Sequence, residues 1–347
     1  MTDAGEDNET ADGHRGDANN KTDLVYGQQG DDEIWGSSLT ETKSLLDGGS
    51  GDDKLYLGWK NKVGSESRIR GGSGKDIIRT DIWNRGTIDE VASQGDVHLF
   101  GDYEYGPEDL DKDLWGSADL IFNGKGDSSS NSAYIYGGDG GDTIHSGNEW
   151  NINQVYGQNG DDTIYLSQGS ESVKVFGGSG HDTIVNVADY GSVESQDVPY
   201  NKQEVISGGA GNDLIRGTHG VDDYGKADMS SADGTQTIHG DDGEDKIYGG
   251  DGVDEDQKLA GGDGDDWIVG GDSASEQWLY GDQIDLSAAE FGAFDYYDEL
   301  EARDGFYIMN ASGDDVLYGG DLTGSQYLFG GYGNDKLFGG NFHTGSY

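Results

Sequence analysis

Gly48-Gly49-Ser50-Gly51-Asp52-Asp53-Lys54-Leu55-Tyr56 is the stretch on which the reading of this chain turns. A glycine-rich hexapeptide ends in aspartate, and an aliphatic residue follows two places on. The same G-G-x-G-x-D-x-(I/L)-x pattern starts again at Gly71, Gly137, Gly177, Gly208, Gly261 and Gly330, and at Gly27, Gly157 and Gly240 without the second glycine. Two more copies are split by insertions: Phe100-Gly101-Asp102 resumes at Asp119, and Tyr280-Gly281-Asp282 resumes at Gly313-Asp314-Asp315. Twelve copies in register make repetition the first fact about the fold.

Outward from each hexapeptide the pattern is equally regular. Two places after the closing aspartate stand Ile34, Leu55, Ile78, Ile121, Ile144, Ile164, Ile184, Ile215, Ile247, Ile268, Leu317 and Leu337. Two places before the first glycine stand Val25, Leu46, Ile69, Leu99, Ile135, Val155, Val175, Ile206, Ile238, Leu259, Leu279 and Leu328. One aliphatic side chain inward and its neighbours outward is the period of a strand. The spacing therefore predicts coils of about 20 residues with two short strands each, stacked about 4.8 Å apart around a thin core. The fold class expected is a right-handed parallel β-solenoid of about twelve coils spanning 24–347, with a polar N-terminal tail over 1–23 and insertions at 103–118 and 283–311.

The hexapeptides share one edge of this solenoid, where glycine admits the positive φ angles of a tight turn. The opposite edge is variable in length, as at 36–43, 187–202 and 217–235, since loop-closure entropy grows slowly with length. Once it carries the full signature, Gly249-Gly250-Asp251-Gly252-Val253-Asp254, and Gly270-Gly271-Asp272 and Gly319-Gly320-Asp321 read as eroded versions.

Composition points the same way. Lys and Arg number 21 against 69 Asp and Glu, a net charge of −48 that drives a compact chain apart unless cations sit among the carboxylates. Such a chain repels nucleic acid. Cysteine is absent, which excludes disulfides and thiolate ligation, and no apolar run approaches a membrane span. Calcium takes six to eight hard oxygen ligands in flexible geometry, which suits carboxylates mixed with main-chain carbonyls, whereas the turns offer none of the nitrogen or sulfur donors of zinc.

The nonapeptide resembles the hemolysin-type calcium-binding repeat of the RTX family, which forms parallel β-rolls. The resemblance implies Ca²⁺ between successive coils, bound by the sixth-position aspartate and by turn carbonyls. Carried over, the carboxylates are Asp32, Asp53, Asp76, Asp119, Asp142, Asp162, Asp182, Asp213, Asp245, Asp266, Asp315 and Asp335, with Asp254 on the second edge. The carbonyls include those of Gly27, Gly48, Gly71, Gly137, Gly157, Gly177, Gly208, Gly240, Gly261 and Gly330. Twelve turns enclose eleven gaps, so several and up to about eleven ions are expected, fewer if the split turns at 101–119 and 281–315 fail. The chain departs from the family in keeping its metal column mostly on one edge.

Outward-facing aromatics flank the inward residues: Tyr26, Phe100, Tyr136, Tyr156, Phe176, Tyr280 and Phe329 before the turn, and Trp35, Tyr56, Phe122, Tyr165, Tyr248, Tyr318 and Phe338 after it. They pair across strands or offer platforms to sugar rings. A basic patch at 54–85 suits docking onto the acidic flank of another copy. Ser287-Ala288-Ala289-Glu290 opens a helical pattern inside the 283–311 insertion. No nucleophile, base and orienter constellation is present, so catalysis is not expected. The chain is expected to be an extracellular or cell-surface calcium-binding structural protein that folds on binding Ca²⁺ and self-assembles, with other copies of itself as partners. Two alternatives stay open: a calcium-dependent adhesin or carbohydrate-binding module for surface glycans, and the non-catalytic calcium-binding portion of a secreted enzyme or toxin.

Overall fold

Each hexapeptide joins two strands, one on either side, and the strands of successive coils pair in parallel. The computed structural model describes residues 2–3, 10–12, 22–36, 43–57, 66–80, 82–83, 87–88, 96–101, 118–123, 132–147, 152–166, 172–186, 203–217, 235–250, 257–271, 276–282, 313–320 and 326–340. No helix occurs among them. The insertions at 103–118 and 283–311 lie outside the described residues but for Ala118, as do Asp254 and the helical pattern at 287–300.

In the unit Met1–Gln203, one sheet runs in chain order through Thr2–Asp3, Thr22–Gln29, Lys43–Ser50, Glu66–Ser73, Asp96–Phe100, Ser132–Asp139, Ile152–Asn159 and Ser172–Ser179. The other runs through Thr10–Asp12, Glu33–Trp35, Lys54–Tyr56, Ile77–Arg79, Leu120–Phe122, Thr143–His145, Thr163–Leu166 and Thr183–Asn186. Register is strict. Ile121 stands opposite Ile144, Ile144 opposite Ile164 and Ile164 opposite Ile184, and in the facing sheet Ile135 pairs with Val155 and Val155 with Val175. In the unit Glu204–Tyr347, Gln203–Ala210, Thr235–Asp242, Gln257–Asp263, Gln277–Tyr280 and Gln326–Phe329 make one parallel sheet. Leu214–Arg216, Lys246–Tyr248, Trp267–Val269, Val316–Tyr318 and Lys336–Phe338 make the other. This is the parallel β-roll that the spacing predicts.

The core is the double file of aliphatic residues. All are buried except Leu328 and Leu337, which sit in the last described coil, where Leu337 is 43% exposed. Two short strands fall inside the stretch read as a polar tail: Thr2 stands opposite Val25, and Ala11 opposite Ile34. A threonine and an alanine at the register places of valine and isoleucine carry no aliphatic signal, which is why periodicity passes over this coil.

Outward rings stack on their counterparts one coil away. Phe100, Tyr136, Tyr156 and Phe176 form a run with centroids 4.9, 4.9 and 5.5 Å apart, the first two pairs tilted by only 4°. Phe100 and Tyr156, though outward-pointing, are only 4% exposed: Tyr156 lies between the rings of Tyr136 and Phe176, and Phe100 has Tyr136 in the next coil and stands opposite Arg70 in the coil before. On the other sheet Phe122, His145 and Tyr165 stack at 4.4 and 4.8 Å, with the Arg79 guanidinium 4.7 Å above Phe122. Each inner ring gives its faces to its neighbours, as cross-strand pairing requires.

Candidate metal centre

The hexapeptide turn is built on two left-handed positions. Gly49 has φ 104° and Gly51 φ 130°, and the second and fourth residues of the other described, unsplit turns repeat this. Glycine is required at these places for a further reason: a Cβ on Gly49 would overlap the carbonyl oxygen of Gln28, and one on Gly51 that of Gly30, both in the preceding coil. The carbonyls of the second and fourth residues thus point along the stack into the next turn. Where the second glycine is missing, Gln28, Gln158 and Asp241 still take φ 82°, 85° and 76°.

This backbone brings the closing aspartates into one file in each unit. The amide N–H of each donates to Oδ1 of the next: Asp32 to Asp53 at 2.8 Å, Asp53 to Asp76 at 2.8 Å, Asp76 to Asp119 at 2.8 Å, Asp119 to Asp142 at 2.8 Å, Asp142 to Asp162 at 2.7 Å and Asp162 to Asp182 at 2.8 Å. In the second unit Asp213 donates to Asp245 at 2.8 Å, Asp245 to Asp266 at 2.9 Å, Asp266 to Asp315 at 3.0 Å and Asp315 to Asp335 at 3.2 Å. Both split turns are therefore reassembled, with Asp119 and Asp315 in their places. Of the twelve aspartates only Asp335, in the last described coil, is not fully buried.

Oδ2 is the telling atom. On Asp53, Asp142, Asp162, Asp245, Asp266 and Asp315 it is buried and accepts no hydrogen bond. At Gly27, Gly48, Gly71, Gly101, Gly137, Gly157, Gly208, Gly240, Gly261 and Gly281 the same two oxygens crowd the point where a Cβ would stand: Oδ2 of the turn's own aspartate and the carbonyl of the next coil's first glycine. First-glycine carbonyls also serve the inter-coil ladder, since Gly72 N–H donates to Gly101 O and Gly262 N–H to Gly281 O, both at 2.9 Å. A carbonyl has a second lone pair to offer.

Burial pushes these carboxyls up, to about 7 for Asp53, Asp142, Asp245 and Asp315, about 8 for Asp162 and Asp266, and about 6 for Asp182. Desolvation is the main cause, eased by the backbone N–H bond. Neighbouring carboxylates add to the rise, as Asp142 and Asp182 do at Asp162. Carboxyls pushed up to about 7 or 8, as at Asp53, Asp142, Asp162, Asp245, Asp266 and Asp315, with bare buried oxygens, are ones that a cation would complete.

Among the described residues, no three carboxylate or imidazole side chains converge on one point. Each turn supplies one carboxylate, so an ion held here draws its remaining ligands from main-chain carbonyls. That all-oxygen donor set, adjustable in number, fits calcium and not a nitrogen- or sulfur-seeking metal.

A parallel β-roll with an aspartate closing each turn of one edge, buried in all but the last described coil, defines a class of repeat protein. The family described as RTX calcium-binding nonapeptide repeat (4 copies) matches residues 3–38, 44–59, 134–149, 151–173, 202–224, 231–255, 256–274 and 322–342, more than half of the chain, and the chain belongs to that family. Comparison with curated proteins and with solved structures found no match. Coils outside the matched segments, such as Glu66–Ser73 and Leu120–Phe122, keep the same register and the same aspartate placement.

Proposed function

We propose that this calcium-binding repeat protein is an extracellular structural module in which Ca²⁺ fills the aspartate file of each unit and drives folding, and that it then assembles with further copies of itself. The observation that carries the reading is the row of buried Oδ2 atoms without a hydrogen-bond donor, at Asp53, Asp142, Asp162, Asp245, Asp266 and Asp315. An ionised buried carboxylate without a counter-charge is strongly unfavourable. A cation between successive turns removes that cost, and its binding energy becomes folding energy. The ligands in this reading are the twelve file aspartates, Asp32 to Asp335, with the first-glycine carbonyls and those of the second and fourth turn residues beside them. Extracellular calcium modules are tuned to roughly 10⁻⁴–10⁻³ M, and this reading puts folding outside the cell on that ground.

The last described coil offers the face at which assembly enters this reading. Tyr327, Phe329, Leu337 and Phe338 are 38%, 46%, 43% and 45% exposed, whereas in the coil before them Leu317 is buried and Trp278, Tyr280 and Tyr318 are partly covered. A coil of the same register covers such a face whichever chain it comes from, and self-assembly is the case in which a second copy brings it. The adhesin reading is weaker, because interior rings have given their faces to each other.

The test is circular dichroism with light scattering while Ca²⁺ is titrated into chelator-treated protein, with Mg²⁺ as control. A cooperative rise in β signal, then growth beyond a monomer, is expected with calcium alone. A fully folded chain in chelator at neutral pH contradicts the folding mechanism, and a calcium-folded monomer at all concentrations contradicts assembly.

A further inference from the structure

The opposite edge of the C-terminal unit is closed by glutamines. Gln236 is 2% exposed, and Gln257 and Gln277 are fully buried. Gln257 Nε2 donates to Gln236 Oε1 at 2.9 Å and to the Gly250 carbonyl at 3.0 Å. Gln277 Nε2 donates to Gln257 Oε1 and to the Gly271 carbonyl, each at 2.8 Å, and Gln326 Nε2 to Gln277 Oε1 at 2.8 Å and to the Gly320 carbonyl at 3.1 Å. Each Oε1 also accepts a main-chain N–H from its own coil: Gly250 on Gln236 at 3.1 Å, Gly271 on Gln257 at 3.2 Å, Gly320 on Gln277 at 3.2 Å and Gly340 on Gln326 at 3.1 Å. Gln257 and Gln277 thereby use both donors and both lone pairs of the amide.

The glycine pairs of this edge, Gly249-Gly250 from the full signature and Gly270-Gly271 and Gly319-Gly320 from its eroded versions, are the seats of this ladder. A Cβ on Gly249, Gly270 or Gly319 would run into the amide of Gln257, Gln277 or Gln326. The N-terminal unit uses asparagine on the same edge: Asn123 Nδ2 donates to Ser146 O at 2.9 Å, and Asn153 Nδ2 to the carbonyls of Ser146 and Gly147 at 3.1 and 3.2 Å. Among the described residues, every fully buried acid belongs to the turn file, and the buried polar side chains of the second edge are neutral.

We infer that a metal-free amide ladder, Gln236–Gln257–Gln277–Gln326, replaces the cation column on this edge, and that Gly249 and Gly250, although they open a full signature in the sequence, seat amides rather than calcium. The Gly250 N–H donates to Gln236 Oε1 and its carbonyl accepts from Gln257 Nε2, so neutral amides stand where the other edge has carboxylates, and an uncharged fastening needs no counter-ion. The inference rests on the calcium reading of the first edge.

The test counts bound calcium by titration calorimetry in the wild-type chain, Asp254→Asn, Asp266→Asn and Gln277→Glu, with thermal unfolding in saturating calcium. Asp254→Asn should bind as many ions as wild type, and Asp266→Asn fewer. Gln277→Glu sets an oxygen against Gln257 Oε1 and the Gly271 carbonyl. It should lower the folding equilibrium constant roughly tenfold or more without changing the ion count. Gln326→Glu, on the half-buried last rung, is the milder variant and should follow in the same direction. An ion lost on Asp254→Asn, an ion gained on Gln277→Glu, or unchanged stability in both glutamate variants overturns the inference. A wild-type chain that binds no calcium overturns the first-edge reading instead, and the glutamate variants still judge the ladder.

Discussion

Asp162 shows how one residue holds two opposed effects. Its Oδ1 takes the Asp142 N–H, its Oδ2 is buried without a donor, and its carboxyl is pushed up to about 8. Asp162→Asn keeps the first bond and removes the charge. The variant should therefore be more stable than wild type in chelator at pH 8 and should need more calcium to reach the holo state, which paired denaturant titrations will show. Gln158 illustrates a different cost. Its φ of 85° is one that non-glycine residues adopt at roughly 1–2 kcal/mol, partly offset by the extra unfolded-state entropy of glycine. Gln158→Gly should stabilise the calcium form by about 0.5–1 kcal/mol in urea unfolding. The sequence pattern shows that the second glycine is absent at 28, 158 and 241, but not that the backbone keeps the left-handed turn. That is dictated by the stacked turns above and below.

At the scale of strand and turn, the file of carboxyls sets the pH response. Folded values of about 6 to 8 lie above the ordinary carboxylate range of the unfolded chain. The metal-free folded state thus binds more protons than the unfolded one between about pH 4 and pH 8, so this part of its stability is present below that window and lost as pH rises through it. Acidifying chelator-treated protein from pH 8 towards 4.5 should raise the β signal. Added calcium should make the signal far less sensitive to pH, with protons competing for the ligands. The core strands carry a contrast of their own. Ile144 is fully buried between Ile121 and Ile164, so Ile144→Ala should cost about 2–5 kcal/mol, whereas Leu337→Ala, at 43% exposure, should cost well under half of that. Thermal melts of the two variants in calcium will compare them.

Over the whole chain, the parts legible in the sequence are those with a short, exact period. Each file aspartate and each inward aliphatic lies at a fixed offset from a glycine pair, and the structure places the pairs 121–144–164 and 135–155–175 in the predicted register. The split turns were open in the sequence because 16 and 30 residues intervene, yet strand pairing on both sides returns Asp119 and Asp315 to the file. The glutamine ladder was not legible. Its members are separated by 20 to 49 residues, no local motif marks them, and their function exists only once coils stack. The strands Thr2–Asp3 and Thr10–Asp12 escaped for a related reason, since register alone identifies them. The central claim is that calcium occupies the aspartate edge, and anomalous diffraction from crystals grown in calcium tests it most directly. The account predicts ordered ions between successive turn aspartates in each unit, each bound by carboxylate and main-chain oxygens, and none beside Gln257 and Gln277. An aspartate edge without ions at saturating calcium, or ions seated on the glutamine edge, would contradict it.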